Sequence, residues 1–129
     1  MITILGPTAS GKTSLAVRLA NQFNGEIISA DSRQIYKGMD IGTGKDISEY
    51  IINKNKIKYH LIDIINPNQN YSVFQFKIDF SKSYNEIQLN GKNIFLCGGT
   101  GLYLESILLN YEISNTPPDD NLRKKKKNL

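Results

Sequence analysis

The sequence has few of the features that mark secreted or membrane-bound proteins. Its single cysteine, Cys97, cannot form an internal disulfide, as a small secreted domain would require. No apolar run approaches the length that spans a bilayer, and no basic and then apolar leader precedes the first strand candidate. We therefore expect a cytoplasmic protein that does not associate with membranes.

The net charge of +4 is unevenly distributed along the 129 residues. Residues 121–129 hold five of the sixteen basic side chains and no acidic one. The remaining 120 residues carry eleven basic and twelve acidic side chains, a net charge of −1. Composition thus excludes a body that is basic throughout, and any positive surface must come from a local patch or from the tail.

The first part of the chain has the pattern of a phosphate-binding loop. Ile2 to Leu5 reads as a short buried strand, and residues 6–13, GPTASGKT, match G-x-x-x-x-G-K-[ST]. A helical pattern follows, whose predicted buried face consists of Leu15, Ala16, Leu19, Ala20 and Phe23. The order strand, glycine loop and helix is the context that this motif requires.

These residue types suit the binding of an anion. Gly6 and Gly11 allow the backbone to curl so that N–H groups point inward, and the new helix presents its positive end. Lys12 adds a positive charge, and the Thr13 hydroxyl is a candidate ligand of Mg²⁺. The predicted diphosphate- or nucleotide-binding residues are Gly6, Pro7, Thr8, Ala9, Ser10, Gly11, Lys12 and Thr13.

Strand and helix patterns alternate along the rest of the chain. Further strands are predicted at residues 26–30, 59–65 and 93–97. Helices are predicted at 47–52, from 73 to a stop at Asn90-Gly91, and at 102–109. This alternation predicts an α/β fold of the P-loop NTPase type, with a parallel sheet and flanking helices in three layers. We expect residues 1–112 to form this core, and residues 113–129 to be a linker and a basic tail that is disordered or truncated.

Polar segments follow each predicted strand, and the carboxyl ends of parallel strands meet at one edge of a sheet. The segments are Gly6 to Thr13, Asp31 to Gln34, Asp63, and Gly98 to Thr100. Asp31 is the leading candidate for a general base, although it could instead hold Mg²⁺ through water or cap a turn. Ser32, Arg33 and Gln34 could read a base edge or a backbone, or simply begin a solvated helix.

Three other positions leave more than one interpretation open. Asp63 could hold a metal ion or merely close a strand, and His60 beside it is best interpreted as a structural residue. The turn from Gly98 to Thr100 could allow close approach of a substrate or only connect a strand to a helix.

Six segments together resemble the tRNA dimethylallyltransferase family, also called tRNA isopentenyltransferases. They are GPTASGKT at 6–13, SADSRQIY at 29–36, KGMDIGT at 37–43, HLID at 60–63, YSVFQF at 71–76 and GGTGLY at 98–103. They occur in the order of the family and extend to about residue 109.

The resemblance implies transfer of a dimethylallyl group from dimethylallyl diphosphate to N6 of an adenosine next to the tRNA anticodon. It implies that Asp31 and Thr13 are catalytic, that Thr13 acts with Mg²⁺, and that the phosphate loop binds the diphosphate. It also implies a set of tRNA-contacting residues, namely Asp31, Ser32, Arg33, Gln34, Thr100 and Arg123. The expected protein is a monomer whose partners are tRNA and dimethylallyl diphosphate.

The family continues well beyond the length of this sequence, so we expect the chain to be an N-terminal part that is incomplete and inactive. The lysine run at 124–127 suggests a truncated or frameshifted gene. Three alternatives remain at this point: a small ATP-dependent kinase, an enzyme that prenylates free adenine nucleotides, and a non-catalytic fragment that binds diphosphates or a partner.

Overall fold

The computed structural model describes residues 1–6, 11–38 and 47–109. Its strands are β1 (Ile2–Leu5), β2 (Gly25–Ala30), β3 (Ile51–Ile52), β4 (Asn55–Lys56), β5 (Tyr59–His60) and β6 (Asn93–Gly98). Its α-helices are α1 (Lys12–Gln22), α2 (Val73–Leu89) and α3 (Gly101–Leu108), and a 3₁₀ helix covers Ile47–Tyr50. The described helices include none that is both long and apolar enough to cross a membrane.

A four-stranded parallel sheet in the order β1-β6-β2-β5 is the centre of the described residues. Strands β2 and β6 are buried on both faces, as expected for parallel strands covered by helices. Successive residues point to opposite faces, so Ile27 packs with α1 while Ile28 packs with α2 and α3. The α/β fold with helices on both faces of a parallel sheet is therefore confirmed.

Each face of the sheet has its own apolar core. On one side, Ala16, Val17 and Ala20 of α1 pack against β6 residues Phe95 and Cys97. On the other side, Phe76 and Phe80 of α2 pack with α3, and the Phe76 ring stacks on Tyr103 at a centroid distance of 4.2 Å. The predicted stripe along α2 is confirmed as packing, with Phe76, Phe80 and Ile87 fully buried.

The predicted buried face of α1 is wrong in part. Leu15 is 40% exposed and Phe23 is 49% exposed, whereas Val17 is buried. The small side chains of Ala16 and Ala20 bring the helix close to the sheet, and this contact selects the face that also includes Val17. Apolar content alone could not identify which of two overlapping stripes faces inward.

The predicted third strand, residues 59–65, ends at His60 in the structure. Leu61 and Asp63 have φ values of +66° and +57°, which are incompatible with a continuous strand. The backbone N–H groups of Asp63 and Ile64 donate instead to the carbonyl oxygens of Gln34 and Ile35. This segment therefore supports the loop after β2 and does not extend β5.

The short helix predicted at residues 47–52 is a 3₁₀ helix over Ile47–Tyr50, after which Ile51 and Ile52 form strand β3. Strand β3 pairs with β4 in an antiparallel hairpin that the sequence did not predict. The expected boundary between a core at 1–112 and a tail at 113–129 lies outside the described residues, and it stays a prediction.

Candidate functional site

The carboxyl ends of β1, β2 and β6 come together at one edge of the sheet. In the register of these strands, Leu5 lies beside Gly98, and Gly98 lies beside Ala30. The next residues along each strand, Gly6, Asp31 and Gly99, therefore leave the sheet side by side. This edge is where parallel α/β sheets form their binding sites.

The phosphate-loop motif ends in the first turn of α1. Gly11 precedes the helix with φ +81° and ψ +12°, a left-handed conformation that favours glycine. The N–H group of Leu15 donates to the Gly11 carbonyl at 3.1 Å, which starts the helix at Lys12. The predicted binding residues Pro7, Thr8, Ala9 and Ser10 lie outside the described residues.

Lys12 is a buried cation at the positive end of α1. Only 6% of its surface is exposed, although lysine is among the residues least often buried without a partner. Among residues 1–6, 11–38 and 47–109, no carboxylate forms an ion pair with it. A buried ammonium group beside the N–H groups of a helix start is a favourable place for an anion.

Cys97 lies on the central strand β6 and contacts the end of the phosphate-loop motif at Thr13. Burial raises the pKa of its thiol, while the Lys12 ammonium and a side-chain hydrogen bond with Thr13 oppose this rise. The Asp31 carboxylate raises the Cys97 pKa further. The Cys97 thiol therefore contacts Thr13 and lies within electrostatic reach of Lys12 and Asp31.

Native Cys97 is expected to react with a thiol reagent at pH 8 on the order of 100-fold more slowly than in the unfolded chain. Its side chain is 5% exposed, and its raised pKa keeps less of it as the reactive thiolate. The rate of reaction with a chromogenic disulfide, measured with and without urea, tests this expectation. Equal rates in the two conditions would show that Cys97 is accessible in the folded protein.

Asp31 organises a tight turn at the end of β2. Its Oδ1 accepts a hydrogen bond from the Arg33 N–H group at 2.9 Å, and the Arg33 Nε lies 3.5 Å from the same oxygen. The Asp31 carbonyl accepts from the Gln34 N–H group at 3.1 Å. The Asp31 side chain is 4% exposed and that of Arg33 is 53% exposed, so the guanidinium reaches solvent beside a buried carboxylate.

The loop after β6 holds this turn in place. The Ser32 N–H group donates to Thr100 Oγ1 at 2.9 Å, and the Thr100 hydroxyl donates to Ser32 Oγ at 3.3 Å. The Thr100 N–H group donates to the Ala30 carbonyl at 3.3 Å. Ser32 and Thr100, which are 68 residues apart in the sequence, thus form one polar surface.

Gly98 and Gly99 allow the chain to approach itself closely. A Cβ atom at Gly98 would lie 2.3 Å from the Ala30 carbonyl oxygen, and one at Gly99 would lie 2.9 Å from the Gly6 carbonyl oxygen. The close approach seen at this turn is between segments of the protein, and approach of a substrate stays a prediction. These contacts set the spacing between the phosphate loop and Asp31.

Gln34 faces inward. It is 6% exposed, and its Oε1 accepts a hydrogen bond from the Ser29 hydroxyl at 3.2 Å. Its carbonyl oxygen also accepts from the Asp63 N–H group at 3.1 Å. The other predicted tRNA-contacting residue in this group, Arg123, lies outside the described residues.

His60 and Asp63 lie in different surroundings. His60 Nε2 lies 2.8 Å from Glu26 Oε1, and both side chains are buried, so His60 has a partner inside the protein; its structural role stays a prediction. Asp63 lies three residues beyond β5 and is partly buried. Within the described ranges, no three His, Cys, Asp or Glu residues cluster closely enough to hold a metal ion.

Sequence reasoning missed Cys97 and Ser29 as neighbours of the site. The position of Cys97 could have been found from the alternation of side chains along a strand, because every second residue of β6 faces α1. No comparable signal existed for the contact of Ser29 with Gln34, since it depends on how the turn folds back over β2.

The chain is similar to proteins of one family. A family model described as IPP transferase matches residues 34–129. The chain is 52% identical over 128 residues to tRNA dimethylallyltransferase 1 of Parabacteroides distasonis, covering 99% of this chain and 42% of that protein. The curated relatives that it matches are much longer, and the chain spans about 40% of their length.

Solved structures show the same likeness. The full-length tRNA isopentenylpyrophosphate transferase from Bacillus halodurans superimposes with a TM-score of 0.77 at 40% identity, over 96% of this chain and 40% of that one. A eukaryotic dimethylallyltransferase acting on tRNA superimposes with a TM-score of 0.74 at 32% identity, over 83% of this chain and 26% of that one.

Proposed function

The chain belongs to the IPP transferase family, and we propose that it forms the donor site of a tRNA dimethylallyltransferase. The proposed reaction moves a dimethylallyl group from dimethylallyl diphosphate to N6 of an adenosine beside the tRNA anticodon. The similarity to tRNA dimethylallyltransferases at about 52% identity supports this choice of donor and acceptor. We propose that the protein acts in the cytoplasm as a monomer.

The observation that carries the proposal is the buried Lys12 ammonium at the start of α1. It lies beside Thr13 and near Asp31, with no ion-paired carboxylate among the described residues. A buried charge that lacks a protein counter-ion is well compensated by an anionic ligand. Diphosphate meets this requirement, and we propose that residues 6–13 surround it, with Lys12 bound to its oxygens.

Mg²⁺ belongs to this proposal, and the residues present suit it. Magnesium is usually held by one or two protein oxygens together with substrate phosphates, and it needs no closed cage of side chains. The Thr13 hydroxyl, at the phosphate-loop end of α1, would be its protein ligand. When bound, Mg²⁺ neutralises negative charge on a departing diphosphate.

Asp31 is the proposed general base. As the adenosine N6 attacks C1 of the dimethylallyl group, the bond between C1 and the ester oxygen of the α-phosphate breaks. Diphosphate leaves with the bonding electrons. The proton released from N6 passes to the Asp31 carboxylate. The turn that fixes Oδ1 by the Arg33 N–H group orients this carboxylate before the substrate arrives.

The proposed tRNA surface surrounds Asp31. Ser32 and Thr100 share hydrogen bonds there, and the exposed Arg33 guanidinium is suited to a phosphate oxygen. Gln34 supports the turn from beneath, so its proposed contribution to tRNA binding includes holding Ser32 and Arg33 in position. Arg123 completes the set from the basic end of the chain.

Asp31→Asn is expected to lower the rate of transfer by about 10²- to 10⁴-fold, the usual contribution of a general base. The amide has nearly the same shape and can still accept from the Arg33 N–H group, but it cannot take up the N6 proton. Transfer is measured by mass spectrometry as the addition of one five-carbon unit to an RNA hairpin that presents an unpaired adenosine.

The control is dimethylallyl diphosphate binding, which Asp31→Asn should leave within about threefold of wild type, because the substitution does not touch the proposed diphosphate ligands. Transfer at the wild-type rate by Asp31→Asn would contradict the base assignment. Absence of transfer by the wild-type chain with bound donor would contradict transferase activity in these 129 residues.

A further inference from the structure

A second polar groove lies at the opposite edge of the sheet from the candidate site. Its volume is about 580 Å³, and it is lined by the end of α1, the start of β2, the β3–β4 hairpin and the residue before β6. Asp31 follows the other end of β2, whose six residues extend over roughly 20 Å. The groove is therefore separate from the proposed donor site.

The lining of this groove is strongly positive. It contains four lysine side chains, those of Lys54, Lys56, Lys58 and Lys92. Its only carboxylate among the described residues is Glu26, which is buried and paired with His60 at 2.8 Å. The first 120 residues together carry a net charge of only −1, so this concentration of positive charge is local.

Two of the four ammonium groups are available to a ligand. Lys58 pairs with Glu86 at 2.8 Å, and Lys92 donates to the Asn24 amide oxygen at 2.6 Å. Within the part of the chain that the structure describes, Lys54 and Lys56 have neither a hydrogen bond nor an ion pair from their side chains.

The hairpin that presents Lys54 and Lys56 is held in place. Asn53 and Lys54 are the two turn residues, with φ values of +50° and +67°, as in the type I′ turns that favour asparagine and glycine. The Ile57 N–H group donates to the Tyr50 carbonyl at 2.7 Å, which fixes the base of the hairpin. The two lysines thus project from a defined wall of the groove.

We propose that this groove binds the sugar–phosphate backbone of RNA, an inference that rests on the proposed tRNA substrate. An RNA strand carries one negative charge per nucleotide along its backbone and can therefore contact lysines that lie apart from one another. A compact phosphate ligand instead needs several protein cations around a single point. The amide groups of Asn21, Asn24 and Asn55 line the groove between the lysines; Asn55 Nδ2 donates to Asn21 Oδ1 at 3.4 Å, and the remaining amide hydrogen-bonding capacity suits ribose hydroxyls.

The test compares two double variants of the 129-residue chain with equal loss of charge. Lys54→Gly with Lys56→Gln removes the two available groove lysines, and glycine suits the positive φ at residue 54. Lys77→Gln with Lys82→Gln removes two lysines from α2, outside the groove lining. The residues at 123–127 are unchanged in both, so their contribution to RNA binding cancels.

Binding of a fluorescent RNA hairpin is measured by anisotropy across a range of salt concentrations. In the groove variant, the negative slope of log K against log salt is expected to become shallower by about 1.4 to 1.8, the value for two lost phosphate contacts. Its affinity for RNA at low salt is expected to fall by about tenfold or more. The α2 variant should remain within about twofold of wild type. Equal slopes for the two double variants would overturn the proposal.

Two further measurements distinguish an RNA groove from a site for a small phosphate ligand and from the proposed donor site. Inorganic diphosphate at submillimolar concentration should not displace the groove-dependent part of RNA binding, and displacement would assign the groove to a small phosphate ligand instead. Dimethylallyl diphosphate binding should be unchanged in the groove variant. If donor binding fails in the wild-type chain while the slope difference persists, the proposed donor site is wrong and the RNA groove stands.

Discussion

Replacing Lys12 with alanine is expected to weaken dimethylallyl diphosphate binding by about 10- to 150-fold, because one charge-assisted hydrogen bond contributes about 1.5–3 kcal/mol. Lys12 is 6% exposed at the start of α1, so its charge acts on a bound anion with little screening by water. The measurement is isothermal titration of the 129-residue chain with dimethylallyl diphosphate and Mg²⁺.

The matched control is Lys82→Ala, which removes one exposed lysine from α2 and should leave donor affinity within about twofold. Thermal unfolding of Lys12→Ala shows whether the variant is folded. We expect a stability close to that of the wild type, because the substitution removes a buried charge that is costly to keep out of water. ATP is titrated in parallel. Tighter binding of ATP than of the prenyl diphosphate would contradict the donor assignment and favour a kinase.

Gly98→Ala is expected to lower the free energy of unfolding by about 3 kcal/mol, at the upper end of the range for an overpacked interior. The new Cβ would lie 2.3 Å from the Ala30 carbonyl oxygen and 2.6 Å from its carbonyl carbon. These are backbone atoms of a paired strand, so relief requires a shift between β2 and β6. Urea denaturation followed by circular dichroism gives the change.

Gly101→Ala is the control for this substitution. Apart from the local backbone and the adjacent residues, no atom lies within 4 Å of the position that its Cβ would occupy, and residue 101 begins α3. Alanine there is expected to be neutral or to stabilise by up to about 1 kcal/mol. A Gly98→Ala protein as stable as wild type would show that β2 and β6 do not pack in the register described.

Gly98 also links stability to the site. A shift between β2 and β6 would move Thr100 relative to both of its partners on the other strand. These are Ser32, whose N–H group donates to Thr100 Oγ1 at 2.9 Å, and Ala30, whose carbonyl accepts from the Thr100 N–H group. The same substitution should therefore disturb the surface beside Asp31. Lys12→Ala differs because it removes a charge and leaves the sheet intact.

Elements with strong periodicity could be predicted from the sequence with few errors. Strands β1, β2 and β6 and helix α2 lie within one or two residues of their predicted bounds. The prediction failed at Leu61 and Asp63, where positive φ values end the strand. A leucine followed by isoleucine and aspartate contains no local signal for that conformation, which depends on hydrogen bonds to Gln34 and Ile35.

The parts of the candidate site differ in the same way. Gly11, Lys12 and Thr13 are adjacent in the sequence, and the motif itself predicts that they act together. The pairing of Ser32 with Thr100 depends instead on the parallel register of β2 and β6, which sequence spacing does not specify. The two available lysines of the groove border an expected turn, but the sequence did not predict the pairing of β3 with β4 that fixes them.

Neighbouring residues were thus enough to establish the phosphate-loop motif, the alternation of strands and helices, and the family resemblance, because each of these is a local property of the chain. Three features required the folded protein: which face of α1 is buried, how closely Gly98 approaches Ala30, and that the Cys97 thiol lies beside Thr13. These features depend on packing between segments far apart in the chain, where shape and hydrogen bonding select one arrangement among several that local preferences allow.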